Sequence, residues 1–373
     1  MPWSPTGGGQ YIVQEPETGN HDLGMWRSGF FEWDNGDPDK PFPEDRRKKY
    51  MYTTLIYKGP VPSDGGRFYR ERYWKLNKPM PAVYSMCNDP GVTWAATVRS
   101  SLRWPEDGID EYSSAGGFRG EPVEVVEAET IPGFMVPAHA EWVIEGEFLP
   151  DVPDYMIPKY GEGIFSGHMF GEELCPVFRI KCVTHRKNPL WSYTWSSNGL
   201  DHRGVHTGLS ELSVEVDGIN YLRKAGYDVK DVVEYDLETV VIQTKADGAE
   251  KSPHLGKVIL STYYGAPNRG MNNKFYIVVG PDIDPYNPRD IIFAINARVQ
   301  PSQDIWVLDN ALAGWGDPCG LPGPLGWKTY GSHIFIDALI KVPETYVDFA
   351  PRTEPLSWEI QAIKRMEEKL GSK

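Results

Sequence analysis

Apolar and polar positions alternate along Ala140–Phe148 and Val177–Val183, the period of half-buried strands. Tyr11–Val13 and Gly24–Phe31 read as two strands joined by a turn, for which Pro16, Glu17, Thr18, Gly19 and Asn20 supply the chemistry. Met51–Tyr57, Ala82–Met86 and Val123–Glu129 are further strands. Residues 34–50 are polar and proline-broken and read as a surface loop. Asn88 to Gly120 reads as loop, with a short helix at Val92–Leu102.

After Pro189 the pattern changes. Leu209, Leu212, Ile219 and Leu222 recur at helical spacing, with Gly226 as a stop, and predict a helix over Leu209–Ala225. Thr239–Thr244 is a β-branched strand, Gly256–Tyr264 a helix, Lys274–Val279 a strand and Asp290–Val299 a helix. Strand and helix in alternation define an α/β layer. Ser357–Leu370 is a separate amphipathic helix with Ile360, Ile363, Met366 and Leu370 on one face, and such a tail usually docks on a neighbouring surface, often another subunit. The expected chain is α+β: a β-rich, barrel-like domain at 1–200, an α/β domain at 205–345 and a tail at 346–373.

A length of 373 residues suits two domains with ample core. The net charge of −14 argues against a nucleic-acid backbone or an anionic membrane surface as partner. An anionic small substrate would need a local cationic group. Gly 38 and Pro 32 fit a loop-rich, strand-rich fold, and Trp 13 fits filled cores or a site for a flat ligand. Cys87, Cys175, Cys182 and Cys319 form no CxxC pair, so free thiols in a reduced, cytoplasmic compartment are expected, although four cysteines can pair. No secretory leader or membrane-length apolar run is expected. P-loop, GxSxG, HExxH and Rossmann signatures are absent.

Between the strands Ala140–Phe148 and Val177–Val183 lies a Pro/Gly-rich loop containing Glu162, Gly163 and Ile164, a place where a scaffold holds reactive side chains accessible. The order Ala140, Glu141, Val143, Glu145, Gly146, then Glu162, Gly163, Phe165, then Thr184 to Pro189 resembles the UbiD family of prenylated-flavin-dependent decarboxylases and carboxylases. Asp282-Ile-Asp-Pro285 and Ile334–Ala338 extend the likeness nearly end to end. It implies a split β-barrel flavin-binding domain followed by an α/β domain. Family members usually carry a further α/β domain before the barrel, which is expected to be missing here.

The resemblance also assigns roles. Taken alone, Arg27 is either a bidentate carboxylate fork or a surface ion pair; the likeness favours the fork, with Glu162 pairing to it. The family's second loop carboxylate falls at Gly167, which has no acid–base chemistry. Either His168, an imidazole suited to proton transfer near neutrality, takes its place or the acid is lost. Asp22 and Glu111 match two ligands of the divalent metal, Mn2+ or Mg2+, that holds the phosphate of prenylated FMN, whereas the family's metal-binding histidine has no counterpart. Ser332-His333 stands where the family often has Ser-Lys against that phosphate. Thr184–Pro189 is read as a strand end and turn, and Asp282–Pro285 as a structural cap.

The implied activity is carboxy-lyase chemistry on an aromatic or α,β-unsaturated carboxylic acid, with CO2 as product or substrate. The alternative is a non-catalytic or half-catalytic subunit of a hetero-oligomeric complex. Either way a homo- or hetero-oligomer with another UbiD-like or accessory subunit is expected.

Overall fold

The computed structural model describes residues 5–6, 9–26, 28–30, 49–53, 65–96, 110–150, 155–157, 173–191, 208–235, 239–245, 254–266, 273–313, 319–322, 328–341 and 357–371. In the N-terminal half these are β1 (Pro5–Thr6), β2 (Gln10–Gln14), β3 (His21–Met25), β4 (Ser28–Phe30), β5 (Tyr50–Thr53), α1 (Gly65–Lys75), β6 (Met80–Met86), α2 (Pro90–Ala95) and α3 (Glu111–Arg119). They continue with β7 (Val125–Glu127), β8 (Met135–Pro137), β9 (Trp142–Phe148), β10 (Tyr155–Ile157), β11 (Glu173–Cys175) and β12 (Val177–His185).

Eight of these strands form one sheet in the order β1-β4-β5-β12-β9-β6-β2-β3, antiparallel throughout. Its shape follows from chain length. β4 is second and β3 eighth in the order, six spacings apart, or about 29 Å in a flat sheet. Yet only Trp26 and Arg27 separate Met25 from Ser28, a span of at most about 11 Å. The sheet must therefore curl until its edges approach. The Tyr11 and Ser28 hydroxyls, on β2 and β4, meet at 2.9 Å across the interior.

Tyr11, Trp26, Met51, Tyr84, Phe148 and Phe178 pack inside the curl, and Tyr11 is fully enclosed. Ile12, Leu23, Val83 and Val143 alternate to the outer face and pack under α2, α3 and the 128–140 segment. The barrel interior is a core of side chains.

At Gly146 the backbone of β12 comes so close that a Cβ would stand 2.1 Å from the Arg179 carbonyl oxygen. A register shift between Ile180 and Cys182 follows at once, so the glycine sits beside a bulge that bends β12 over β9.

The C-terminal half comprises α4 (Gly208–Lys224), β13 (Val229–Tyr235), β14 (Thr239–Thr244), α5 (Leu255–Tyr264), β15 (Phe275–Val279), α6 (Pro288–Arg298), α7 (Pro301–Asp304), β16 (Ile305–Leu312), β17 (Leu321–Pro322) and β18 (Lys328–Ala338). The sheet order is β13-β14-β15-β18-β16, with β14, β15 and β18 parallel and antiparallel strands at both edges. Val240, Val241 and Ile242 are buried on both faces, as continuous apolar runs in parallel strands are. α4 and α5 cover one face and α6 packs on the other. Gly226 ends the first helix region at φ 92, a left-handed conformation that suits glycine. α8 (Ser357–Gly371) follows.

The expected α+β architecture is observed. One departure is helical, α3 inside the stretch read as loop, and α1 and the short α7 were unmarked. α3 starts at Asp110, whose side chain accepts from the Ser113 N–H at 2.7 Å, and stops at Gly120 with φ 76. Both caps are visible in the sequence. The helix is short and has few apolar residues, so periodicity did not reveal it. β13 and most of β16 were also unmarked. Met51–Tyr57 is a strand only over Tyr50–Thr53 within the described residues, and most of 34–50 lies outside them.

Gly146→Ala should lower stability by about 1–3 kcal/mol, because the added methyl meets backbone that cannot rotate away. Urea unfolding measures this, and a change below about 0.5 kcal/mol would mean that β9 and β12 can separate freely.

Candidate functional site at the barrel seam

β3 is an edge strand, so alternate N–H groups point away from the sheet and need partners. The Leu23 N–H donates to Oε2 of Glu111 at 3.3 Å. Glu111 is the first residue of α3 and only 2 % exposed, and the aligned peptide dipoles at that helix end favour its negative charge. Asp22 is 7 % exposed and pairs with Val13 in the β2–β3 register, which puts both on the inner face of the curl. Glu111 thus reaches the β3 backbone beside Asp22, while the Asp22 side chain takes the inner face of the curl.

His21 precedes them and turns to the outer face, edge-on to Phe134 at 5.5 Å. Its Nε2 accepts from the Met135 N–H at 3.5 Å. Burial lowers its pKa, against opposing contributions from the Asp110 charge and a hydrogen bond with the Gly133 backbone. Tyr112 donates to the Met135 carbonyl at 2.8 Å, so β8 and α3 brace the same edge. Among the described residues no group of three or more His, Cys, Asp or Glu side chains has the arrangement of a metal site. Asp22 and Glu111 each offer carboxylate oxygens, the hard donors that suit Mg2+ or Mn2+.

The other motif carboxylates hold the scaffold. Glu145, 1 % exposed, accepts from the Glu129 N–H at 2.8 Å, the Thr130 N–H at 2.7 Å and the Thr130 hydroxyl at 2.5 Å. Glu141 accepts from Arg186 at 2.9 Å and from the Leu190 N–H at 3.1 Å. Those two bonds, and the Trp142 indole donating to the Leu190 carbonyl at 2.8 Å, tie the turn after Thr184 to β9. Glu147 pairs with Arg179 and Lys181. Asp282 forms a two-point pair with Arg298, and Asp284 accepts from the Tyr286 N–H at 3.0 Å.

His333 belongs to the other sheet. It is 2 % exposed, its Nδ1 donates to the Asn273 carbonyl at 2.7 Å, and Tyr264 and Tyr276 meet its ring edge-on. Arg27, Glu162, Gly167 and His168 lie outside the described residues. Asp22 and Glu111 lie within the described residues, and Glu111 bonds the backbone of Leu23, the residue after Asp22.

The folded pair, a curled barrel followed by an α/β domain, defines a class of two-domain scaffold with carboxylates at the barrel edge. Residues 6–198 match the 3-octaprenyl-4-hydroxybenzoate carboxy-lyase Rift-related domain, and residues 214–338 match the C-terminal domain of the same enzyme. The chain belongs to the UbiD family.

A phenolic acid decarboxylase from Sedimentibacter hydroxybenzoicus is 27 % identical over 280 residues, 72 % of this chain and 52 % of that protein. The chain spans about half the length of this curated relative. The UbiD-class enzyme HmfF from Pelotomaculum thermopropionicum, solved with FMN, superposes with TM-score 0.75 at 20 % identity, over 97 % of this chain and 72 % of that one. The vanillic acid decarboxylase of Sedimentibacter hydroxybenzoicus in open form gives TM-score 0.73 at 21 % identity, over 98 % and 70 %. No described helix is long and apolar enough to cross a membrane.

The Leu190 N–H, then Arg186, hold the Glu141 carboxyl below the usual carboxylate range. A depressed folded pKa contributes stability that is present above the unfolded value of about 4.3 and is lost as pH falls through the folded value. Urea midpoints measured from pH 5 downward should therefore fall more steeply for the native chain than for Glu141→Gln. Parallel slopes would remove Glu141 from the acid response.

Proposed function

We propose that this chain is a carboxy-lyase. It catalyses the reversible, non-oxidative decarboxylation or carboxylation of an aromatic or α,β-unsaturated carboxylic acid with prenylated FMN. The observation that carries the reading is the joint match of both domains to the carboxy-lyase profiles, at 6–198 and 214–338. The HmfF structures solved with FMN and with prenylated FMN, at TM-scores 0.75 and 0.69, support a flavin as cofactor. The placing of Glu111 against the β3 backbone next to Asp22 is compatible with a divalent cation there.

When bound, the flavin supplies the electron sink for the carbon that loses CO2. Everything else falls to the chain. Asp22 and Glu111 would be the residues that hold a divalent cation, whose charge would offset that of the flavin phosphate. Arg27 takes the substrate carboxylate in its guanidinium fork, the local cation that a protein of net charge −14 must provide. Glu162 accepts from Arg27 and keeps the fork oriented. The proton that replaces CO2 on carbon comes from His168 or, with Gly167 in the family's acid position, from water or a partner chain.

Asp22→Ala and Glu111→Ala should each abolish flavin retention, read from the absorbance spectrum, with metal content falling in step. Wild-type flavin stoichiometry in both variants would remove the metal site from the proposal.

Arg27→Ala should cost about 2–4 kcal/mol of transition-state stabilisation, roughly two to three orders of magnitude in CO2 release or exchange. His168→Ala separates the proton donors: a fall confined to proton-transfer steps assigns the role to His168, and an unchanged rate assigns it to water or a partner. Protein loaded with prenylated flavin that neither releases nor exchanges CO2, even with its natural partner, would replace the enzyme reading with that of a subunit in a hetero-oligomeric complex.

A further inference from the structure

The inner face of the barrel sheet is filled over most of its length and opens at one end. Ile144 belongs to the interior core and is 2 % exposed, yet Val183, its register partner on the same face, is 47 % exposed. Two residues further along each strand, Trp142 and His185 are partners on that face, with ring centroids 4.8 Å apart. Trp191, 41 % exposed, meets Trp142 nearly at right angles, at 81° and 5.4 Å, and reaches Phe30 of β4 at 6.3 Å. The turn that carries Trp191 is pinned at the residue before it. The Leu190 N–H donates to Glu141 at 3.1 Å, and the Leu190 carbonyl accepts from the Trp142 indole at 2.8 Å and the Cys87 thiol at 3.6 Å.

This aromatic corner stands at the seam. Met25, Gln10, Ser85, Val143 and Thr184 are successive register partners across β3, β2, β6, β9 and β12. The next pair on β6 and β9 is Met86 with Trp142, so the β3–β4 link leaves the sheet at the end where Trp142 and His185 stand. The Phe30 contact brings Trp191 to β4, the strand that the link enters. A rigid turn that presents a large ring to solvent is organised in advance for a partner ring, because little freedom is lost when one binds.

Charge at this end favours an anion. From Val177 to Pro189 the chain carries Arg179, Lys181, His185, Arg186 and Lys187 and no acidic residue, within a protein of net charge −14. Glu147 pairs with Arg179 and Lys181, and Glu141 with Arg186, which still leaves a local surplus of positive charge, and Lys187 is exposed in the turn. A ligand that is both flat and anionic suits such a surface.

We propose that Trp142 and Trp191 form the wall that recognises the ring of the substrate, making the site selective for aromatic carboxylates over non-aromatic acids of the same charge and similar size. The inference rests on the carboxy-lyase reading, in which Arg27 of the β3–β4 link takes the carboxylate. A ring seated in the corner lies flat on one indole and edge-on to the other, the two favoured geometries of aromatic pairs. The basic turn draws the anion to this end of the barrel.

Ligand-observed NMR titrations of the full chain as purified, with benzoate and with cyclohexanecarboxylate, test the wall, since the two acids differ chiefly in the aromaticity of the ring. Benzoate should bind more tightly by roughly two- to tenfold, the range that an aromatic stacking contact supplies. Trp191→Ala should weaken benzoate alone and bring the two dissociation constants together, and Trp191→Phe should keep part of the preference. Circular dichroism of both variants should match the native chain, because the Trp191 ring is at the surface. Equal affinities in the native chain, no binding of benzoate at millimolar concentration, or a preference that survives Trp191→Ala would overturn the proposal. So would loss of retained flavin in Trp191→Ala with benzoate binding unchanged, which would give the corner to the flavin ring. Ring-selective binding that Trp191→Ala abolishes, in a chain that releases no CO2, would keep the wall and remove the lyase reading. Turnover of an aromatic acid at unchanged kcat/KM in Trp191→Ala would keep the lyase reading and remove the wall.

Discussion

The short link between β3 and β4 is the constraint on which the N-terminal domain depends. Two residues cannot span the roughly 29 Å that six flat strand spacings would require, so the sheet has to roll up. Rolling encloses Tyr11 among Trp26, Tyr84, Phe148 and Phe178, and burial raises its hydroxyl pKa well beyond the ordinary phenol range, with the Ser28 and Thr53 contacts working the other way. Among the described residues these side chains fill the interior of the curl. The edge nearest the link is that of β3.

That edge carries a second constraint. An edge strand with open N–H groups invites pairing with another chain. Here a carboxylate at a helix start caps the Leu23 N–H, so the position proposed for cation binding also protects the sheet. Glu111 can serve both because a carboxylate has two oxygens and several lone pairs.

The strands were legible wherever alternation was strict, as in β9 and β12, and the helices wherever apolar spacing met a glycine stop, as at Gly226. α3 was lost because Glu111–Arg119 has few apolar residues to mark a period; its evidence was the Asp110 and Gly120 caps, which act over single turns. β13 shows the same limit from the other side. Its Val229, Val232 and Val233 are buried, but an alternation broken by Asp231 and a bulge after Val229 hides the strand. Of the site, Asp22 and Glu111 were legible only through family likeness. They are 89 positions apart, and no local pattern links a strand edge to a distant helix start.

The residues that make the likeness recognisable are mostly scaffold. Glu145 holds three donors of the 129–130 segment, Glu141 fixes the turn around Arg186 and Leu190, and Gly146 lets two backbones touch. Removing the Glu145 carboxylate would take the acceptor from two part-buried N–H groups and the Thr130 hydroxyl. Such positions are set by packing, and packing tolerates little change whatever reaction the barrel supports. The departures expected from the sequence fall elsewhere, at Gly167 and at His333, and His333 is buried in the C-terminal sheet with Nδ1 donating to the Asn273 carbonyl.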